Sequence, residues 1–245
     1  MSIVRGTPIV AKCAMGRLHF LPRNVSQPRQ ESRLNREEEW ERFLQAQKSG
    51  VLELAGLYDR AVREVGEGVA SIFAIHAMLL EDEELTEMVR HRILDQGASA
   101  EYAVWKTGTD VAASFRDLDD TYMKAREADI LDIANRVLCE LSGGCCGVEP
   151  EEPAVLVADF LLPSEVMEFN REGKLAGVIS RKGNPDSHTG HLLQAYHICS
   201  VVGAELEDIW EGHIALMDGC TGEIHLDPDG QTVERIMKKA PAGAL

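Results

Sequence analysis

A histidine in a short polar turn is the residue of this chain best placed for chemistry. It stands in Gly183-Asn184-Pro185-Asp186-Ser187-His188-Thr189-Gly190-His191, a turn-rich segment that leaves an apolar run and opens a helix. Asp186 or Ser187 is placed to cap that helix, which puts His188 in its first turn. Unpaired backbone N–H groups and the positive end of the helix dipole favour a bound anion there, phosphate above all. The same field disfavours imidazolium, so His188 is expected to be neutral and nucleophilic. A neutral imidazole with Gly183, Asp186, Ser187 and Thr189 as its loop neighbours suits phosphoryl transfer through a phosphohistidine. Two other readings of the same residues stay open. From the residues alone His188 reads more readily as a structural or exposed histidine, and His188-x-x-His191 followed by His197 and Cys199 has metal-ligand types at short spacing. Rival motifs are absent from the sequence: no Gly-x-Ser-x-Gly elbow surrounds Ser164, and neither a Walker loop nor a Gly-x-Gly-x-x-Gly fingerprint occurs.

The elements that must position this turn follow from period and punctuation. Ala154–Ala158, Leu175–Ile179, Ile198–Val202, Ile214–Met217 and Glu223–Leu226 read as strands, with short helices opening at Leu162-Pro163-Ser164-Glu165 and running over 187–196. Strands alternating with helices imply a small α/β layer. Residues 1 to about 20 read as strand, turn and strand, too little to form a sheet alone, so they are expected to pair with that layer. Between them, from Leu34 to Leu141, apolar residues recur at helical spacing and no proline intervenes between Pro28 and Pro150. Turns are expected at Gly50, at Gly66-Glu67-Gly68 and at Gly97. The fold class is therefore α/β plus all-α: an α/β subdomain in two sequence pieces, 1–24 and 148–235, with a helical subdomain, 30–146, inserted between them and 236–245 as a tail or the start of a linker.

Composition narrows the partners. The chain has 245 residues and a formal charge of −16, with 41 acidic and 25 basic residues. Nothing supplies the clustered cations that nucleic acid requires, and a basic partner fits better. Residues 31–140 hold 24 acidic and 13 basic residues, a net of −11. There a nearly uncharged stretch, Ile72 to Leu80 with Met78, runs into Glu81-Asp82-Glu83-Glu84, an apolar surface bordered by carboxylates. No run of apolar residues has membrane-spanning length and the N-terminus lacks a signal-peptide pattern, so a cytoplasmic protein that meets no membrane is expected. The six cysteines form no Cys-x-x-Cys and read as reduced, mostly buried thiols.

Several segments in order resemble the N-terminal half of enzyme I, the phosphoenolpyruvate-protein phosphotransferase of the bacterial sugar phosphotransferase system. Ile72 to Leu85 is similar to the family's interface helix and its acidic turn, and Phe115 to Ile133, with Asp119-Asp120-Thr121-Tyr122 and Arg126-Glu127-Ala128-Asp129, to a later helix. The resemblance implies that His188 carries phosphate from phosphoenolpyruvate to the histidine of a small carrier, HPr. It also implies that HPr docks on Glu67, His76, Met78, Leu79, Asp82, Glu83, Glu84, Tyr122, Met123 and Arg126. The family's second half, a phosphoenolpyruvate-binding barrel with the magnesium ligands, would have to act in cis or in trans. No cofactor or metal is expected in this chain itself.

The match departs at the histidine. Where the family has Gly-Gly-Arg-Thr-Ser-His-Thr-x-Ile-x-Ala-Arg, this chain has Asn184, Pro185 and Asp186 before Ser187-His188, and Gln194 at the later arginine. Two cations are lost and one anion is gained, each worth on the order of 1–3 kcal/mol of anion stabilisation. Leu162 stands where the family has a threonine that would hydrogen-bond the imidazole. A second reading follows: an enzyme I-like module whose histidine chemistry has decayed and which serves as an HPr-binding or regulatory protein.

Overall fold

A computed structural model describes residues 2–21, 27–144 and 154–238, the side chains of Thr121, Tyr122 and Glu172 excepted. In chain order the first elements are β1 (Ser2–Arg5), β2 (Thr7–Val10), β3 (Cys13–Phe20), α1 (Arg36–Val65), α2 (Glu67–Leu80), α3 (Glu83–Arg90), α4 (Ala100–Arg116), α5 (Thr121–Lys124) and α6 (Arg126–Leu141). They are followed by β4 (Ala154–Ala158), α7 (Pro163–Phe169), β5 (Leu175–Ser180), α8 (His188–Ala195), β6 (Cys199–Val202), β7 (Ile214–Asp218), β8 (Glu223–Leu226) and α9 (Gly230–Met237). The chain divides into two compact units, one of residues 1–23 with 147–245 and one of residues 24–146.

In the first unit the strands form one eight-stranded sheet in the order β1-β8-β7-β3-β4-β5-β6-β2. Strands β3 to β6 are parallel, and the flanking pairs are antiparallel. The N-terminal segment, expected as one strand, turn and strand, supplies three strands. It covers both edges: β1 lies on β8, and after Gly6 the chain continues as β2 on β6. The continuous segment 2–10 thereby bridges the two ends of the sheet order, with β1 and β2 each paired on one side. The sheet curls around its core: a Cβ at Gly177 on β5 would lie 2.7 Å from Met217 Sδ on β7, although β3 and β4 stand between these strands in the sheet order. Leu18, Val155, Val157, Ile179, Val201, Met217 and Ile224 fill this core.

This bridging depends on backbone approaches that only glycine permits. The Gly6 amide donates to Gly222 O at 3.0 Å. A Cβ at Gly6 would stand 2.5 Å from Val202 O, and one at Gly222, where φ is 75°, would stand 2.1 Å from Gly6 O.

The second unit is helical. Asn35 caps α1 through a reciprocal box with Glu38, and Gly66 ends the helix with φ 92°. Gly97, with φ 73°, turns the chain as expected. Gly50 does not: it lies inside α1, where a Cβ would meet Leu80 Cδ2 at 3.1 Å and Arg136 Cγ at 3.3 Å, so it is a packing notch and not a turn. Gly108 is a tighter notch, with its Cβ position 2.5 Å from Ala134 Cβ. Glu39 is buried, accepting from the Ala100 amide at 3.0 Å and from Arg42 at 2.7 Å, and so fastens α1 to the start of α4.

The cysteines depart from expectation at one place. Cys139 is disulfide-bonded, while Cys13, Cys199 and Cys220 are free. The chain doubles back at the end of α6, the Gly144 amide donating to Cys139 O at 2.8 Å, a reversal that cysteine spacing alone does not reveal. Cys145 and Cys146 lie outside the described residues.

The bridging predicts that Gly6→Ala destabilises the protein by about 2–3 kcal/mol, since a methyl group must displace backbone and not a flexible side-chain end. Urea unfolding checks this; an unchanged midpoint would show that the edges are not held together at Gly6.

Candidate functional site

His188 is half-buried at the first position of α8, at the end of the sheet reached by the C-terminus of β5. Ser187, not Asp186, is the cap: its Oγ accepts from the Gly190 amide at 3.1 Å. The preceding turn is fixed by Asn184, whose Oδ1 accepts from the Asp186 amide at 2.9 Å and whose carbonyl accepts from Ser187 N at 3.0 Å and Ser187 Oγ at 2.7 Å. Gly190 lets this turn fold back on the helix, because a Cβ there would be 2.3 Å from Pro185 O. On the other side Thr189 is buried and its Oγ1 donates to Leu161 O at 2.9 Å, tying α8 to the strand end of β4. His188 is thus held between two anchors, with the first-turn amides of α8 beside it.

The substituted positions take up structural work of their own. Asn184 supplies the turn, while Asp186 is exposed at the mouth of the helix. Leu162 is buried at the start of α7 and offers no hydroxyl. Nor is the strand-end arginine a loose cation. Arg181 donates to Asp159 at 2.8 Å, to Asp208 at 2.9 Å and through Nε to Leu206 O at 3.2 Å, and it lies over the Phe20 ring. Hydrogen bonds to Asp159 and Asp208 raise its pKa above the ordinary value. Lys182 and Asp186 are the exposed charges flanking the turn. Among the described residues no group of three or more His, Cys, Asp or Glu side chains is arranged to hold a metal ion.

The second candidate region is the end of α2 and the start of α3. Met78 is 73% exposed and Ile75 43%. Leu79 is half-buried between them and the core, and Glu67, Glu83 and Glu84 are exposed. Asp82 is exposed too, but its carboxylate caps α3 by accepting from Glu84 N at 3.0 Å and Leu85 N at 3.1 Å. Met123 and Arg126 are half-buried, and the side chain of Tyr122 lies outside the described residues.

His76 corrects the sequence reading. Expected on the docking surface, it is fully buried, with Nε2 3.3 Å from Asp129 Oδ1 and Nδ1 3.5 Å from Asp132 Oδ2. Arg126 in turn reaches Asp129 at 3.0 Å. The histidine faces α6 because its neighbours Ile72, Phe73 and Leu80 define the inward side of α2.

Comparison with known proteins bears on both regions. The family described as "PEP-utilising enzyme, N-terminal" matches residues 5–126, and "PEP-utilising enzyme, mobile domain" matches residues 150–222. The phosphoenolpyruvate-protein phosphotransferase of Bacillus subtilis is 32% identical over 211 residues, covering 83% of this chain and 36% of that protein. That of Priestia megaterium is 33% identical over 196 residues, covering 77% and 33%. A solution structure of enzyme I (nEIt) superposes with a TM-score of 0.70 at 28% identity, covering 97% of this chain and 98% of that one. A structure described as "N-terminal domain of Enzyme 1 - Nitrogen" gives 0.64 at 26% identity, covering 96% and 98%. The chain belongs to the enzyme I family, in its N-terminal half. It spans about a third of the length of the curated relatives it matches.

For this enzyme I-type domain, some site residues were open to sequence reasoning and others were not. Ser187 and His188 announce themselves through the capping pattern. Arg181, Asp159 and Asp208 come together only through the folded sheet, and Asp129 and Asp132 read as solvated helix charges until their side of α6 is known. No helix of the described residues is long and apolar enough to cross a membrane.

The buried network predicts that His76→Ala leaves Asp129 and Asp132 facing a cavity and destabilises the protein by about 3–5 kcal/mol. Chemical denaturation monitored by circular dichroism checks this; a loss below about 1 kcal/mol would place His76 outside the network.

Proposed function

We propose that this chain is the phosphoryl-carrying and carrier-docking part of an enzyme I-type phosphotransferase. His188 Nε2 is the nucleophile: it forms a P–N bond as the donor's bond to phosphorus breaks, and the phosphoryl group then passes to a histidine of an HPr-like carrier. The observation that supports this best is the fixing of His188 in the first turn of α8 by the Ser187 cap on one side and the Thr189–Leu161 hydrogen bond on the other. Such positioning lowers the barrier without any new contact at the moment of transfer. Phosphoenolpyruvate itself, and the magnesium used with it, would be handled by the barrel of the family's second half, in cis or in trans. The carrier's own positive charge fits the apolar Ile75–Met78 surface rimmed by Glu81, Glu83 and Glu84.

A second reading, a docking module with decayed chemistry, is favoured by Asp186 standing exposed at the helix mouth while Arg181 is engaged elsewhere. Incubation with phosphorylated HPr separates the two. Phosphotransfer predicts an acid-labile mass increase that disappears in His188→Ala; binding without any label on His188 supports the decayed module.

Removing the local anion should ease the chemistry. Asp186→Thr is expected to raise the rate of His188 phosphorylation by about tenfold at low salt, in line with on the order of 1–2 kcal/mol of relieved repulsion. Quench-flow measurement with phosphorylated carrier tests it, and an unchanged rate would show that Asp186 does not face the incoming phosphate.

A further inference from the structure

Three thiols of the α/β unit converge at the end of the sheet opposite the His188 loop, where β3 and β6 begin and β7 ends. The β7–β8 turn is pressed onto the Val10–Lys12 corner so closely that a Cβ at Gly219 would stand 2.2 Å from Val10 O and 2.4 Å from Lys12 O. The Gly219 amide donates to Lys12 O at 3.0 Å, and Cys199 Sγ donates to the same oxygen at 2.7 Å. Cys13 follows Lys12 and faces Asp218 across the β3–β7 ladder. Cys220 follows Gly219, and its amide is bonded to the Asp218 carboxylate at 2.9 Å. One turn therefore brings Cys220 against the strand start that carries Cys13.

The three differ in accessibility. Cys220 is exposed, whereas Cys13 and Cys199 are 5% and 1% exposed. Burial raises the pKa of the Cys13 thiol, and repulsion from Asp218 and Cys220 adds to the rise. Cys199 is pushed up to about 12, chiefly by burial and then by Cys13, so it stays a thiol engaged with the Lys12 carbonyl.

We propose that Cys220 and Cys13 form a hydroperoxide-responsive dithiol in which exposed Cys220 is oxidised first and buried Cys13 resolves it into a disulfide. In the first step the Cys220 thiolate attacks one oxygen of a hydroperoxide. The O–O bond breaks, an S–O bond forms and the remaining alkoxide or hydroxide leaves with a proton, giving the Cys220 sulfenic acid. In the second step Cys13 sulfur attacks the Cys220 sulfur. The S–S bond forms, the S–O bond breaks, and hydroxide leaves as water with the Cys13 proton. Two thiols are oxidised by two electrons and one hydroperoxide is reduced. Cys220 lies in the β7–β8 turn beyond the last ladder pair, Asp218 with Glu223, so a bridge from it breaks no ladder hydrogen bond.

The experiment uses the full chain treated with hydrogen peroxide, blocked with an alkylating agent and digested without reduction for mass spectrometry. The expected product is a cross-linked peptide joining Cys13 to Cys220, lighter by two hydrogens than its parts and released by dithiothreitol. It should be absent in Cys220→Ser and retained in Cys199→Ser. In Cys13→Ser, Cys220 should proceed to the sulfinic acid. Cys220→Ser, on an exposed turn, keeps the test readable if Cys13→Ser does not fold. A Cys13–Cys199 bridge, sulfinic acid on Cys220 of the unaltered chain with Cys13 still reduced, or no oxidation of either thiol would overturn the proposal.

Discussion

The backbone of Gly6 lying against Gly222 is the contact on which the α/β unit depends. It allows one nine-residue segment, 2–10, to pair with both β8 and β6. The parallel β4–β5 ladder sets the C-terminal ends of these strands side by side, and Arg181, just past β5, reaches Asp159, Asp208 and the Leu206 carbonyl at once. With those strand ends fixed, Thr189 finds Leu161 O and the start of α8 is held at one position. Precision at the histidine therefore comes from the β4 strand end together with the loop.

That arrangement also explains how the loop tolerates such altered chemistry. Asn184, Pro185 and Asp186 replace the residues the family places before its histidine, yet the turn is closed by the Asn184 side chain and the helix is capped by Ser187. The backbone at His188 is fixed by Asn184 and Ser187, while Asp186 places an exposed negative charge at the helix mouth. Geometry and electrostatics have been separated here, and it is the geometry that the fold conserves within this molecule. The acidic character of the helical unit is divided in a similar way. Glu39, Asp129 and Asp132 are buried and hold helices together, whereas Glu81, Glu83 and Glu84 remain at the surface beside Met78.

What could be read from residues alone follows the range of the interaction involved. Capping at Ser187, the strand at Ala154–Ala158 and the turn at Gly97 are local, and each was legible from a few adjacent residues. The misreadings concern residues whose role is set by distant partners. Gly50, expected as a turn, lies inside α1 and is small to let Leu80 and Arg136 approach. His76, expected at the surface because it sits among the residues that resemble a docking helix, shares the inward face of α2 with Ile72, Phe73 and Leu80 and meets two carboxylates on α6. Cys139 looked like a thiol because nothing in the spacing shows that the chain doubles back after α6.

Phosphoryl transfer as proposed rests on a fixed imidazole rather than on the loop's charge. Phosphorus–nitrogen coupling in NMR spectra of the histidine-labelled chain, recorded after exposure to phosphorylated carrier, reads this out. Coupling is expected to a single nitrogen, Nε2 of His188, with His191 and His197 unaffected. Coupling at either of those residues, at Nδ1 of His188, or at none would contradict it.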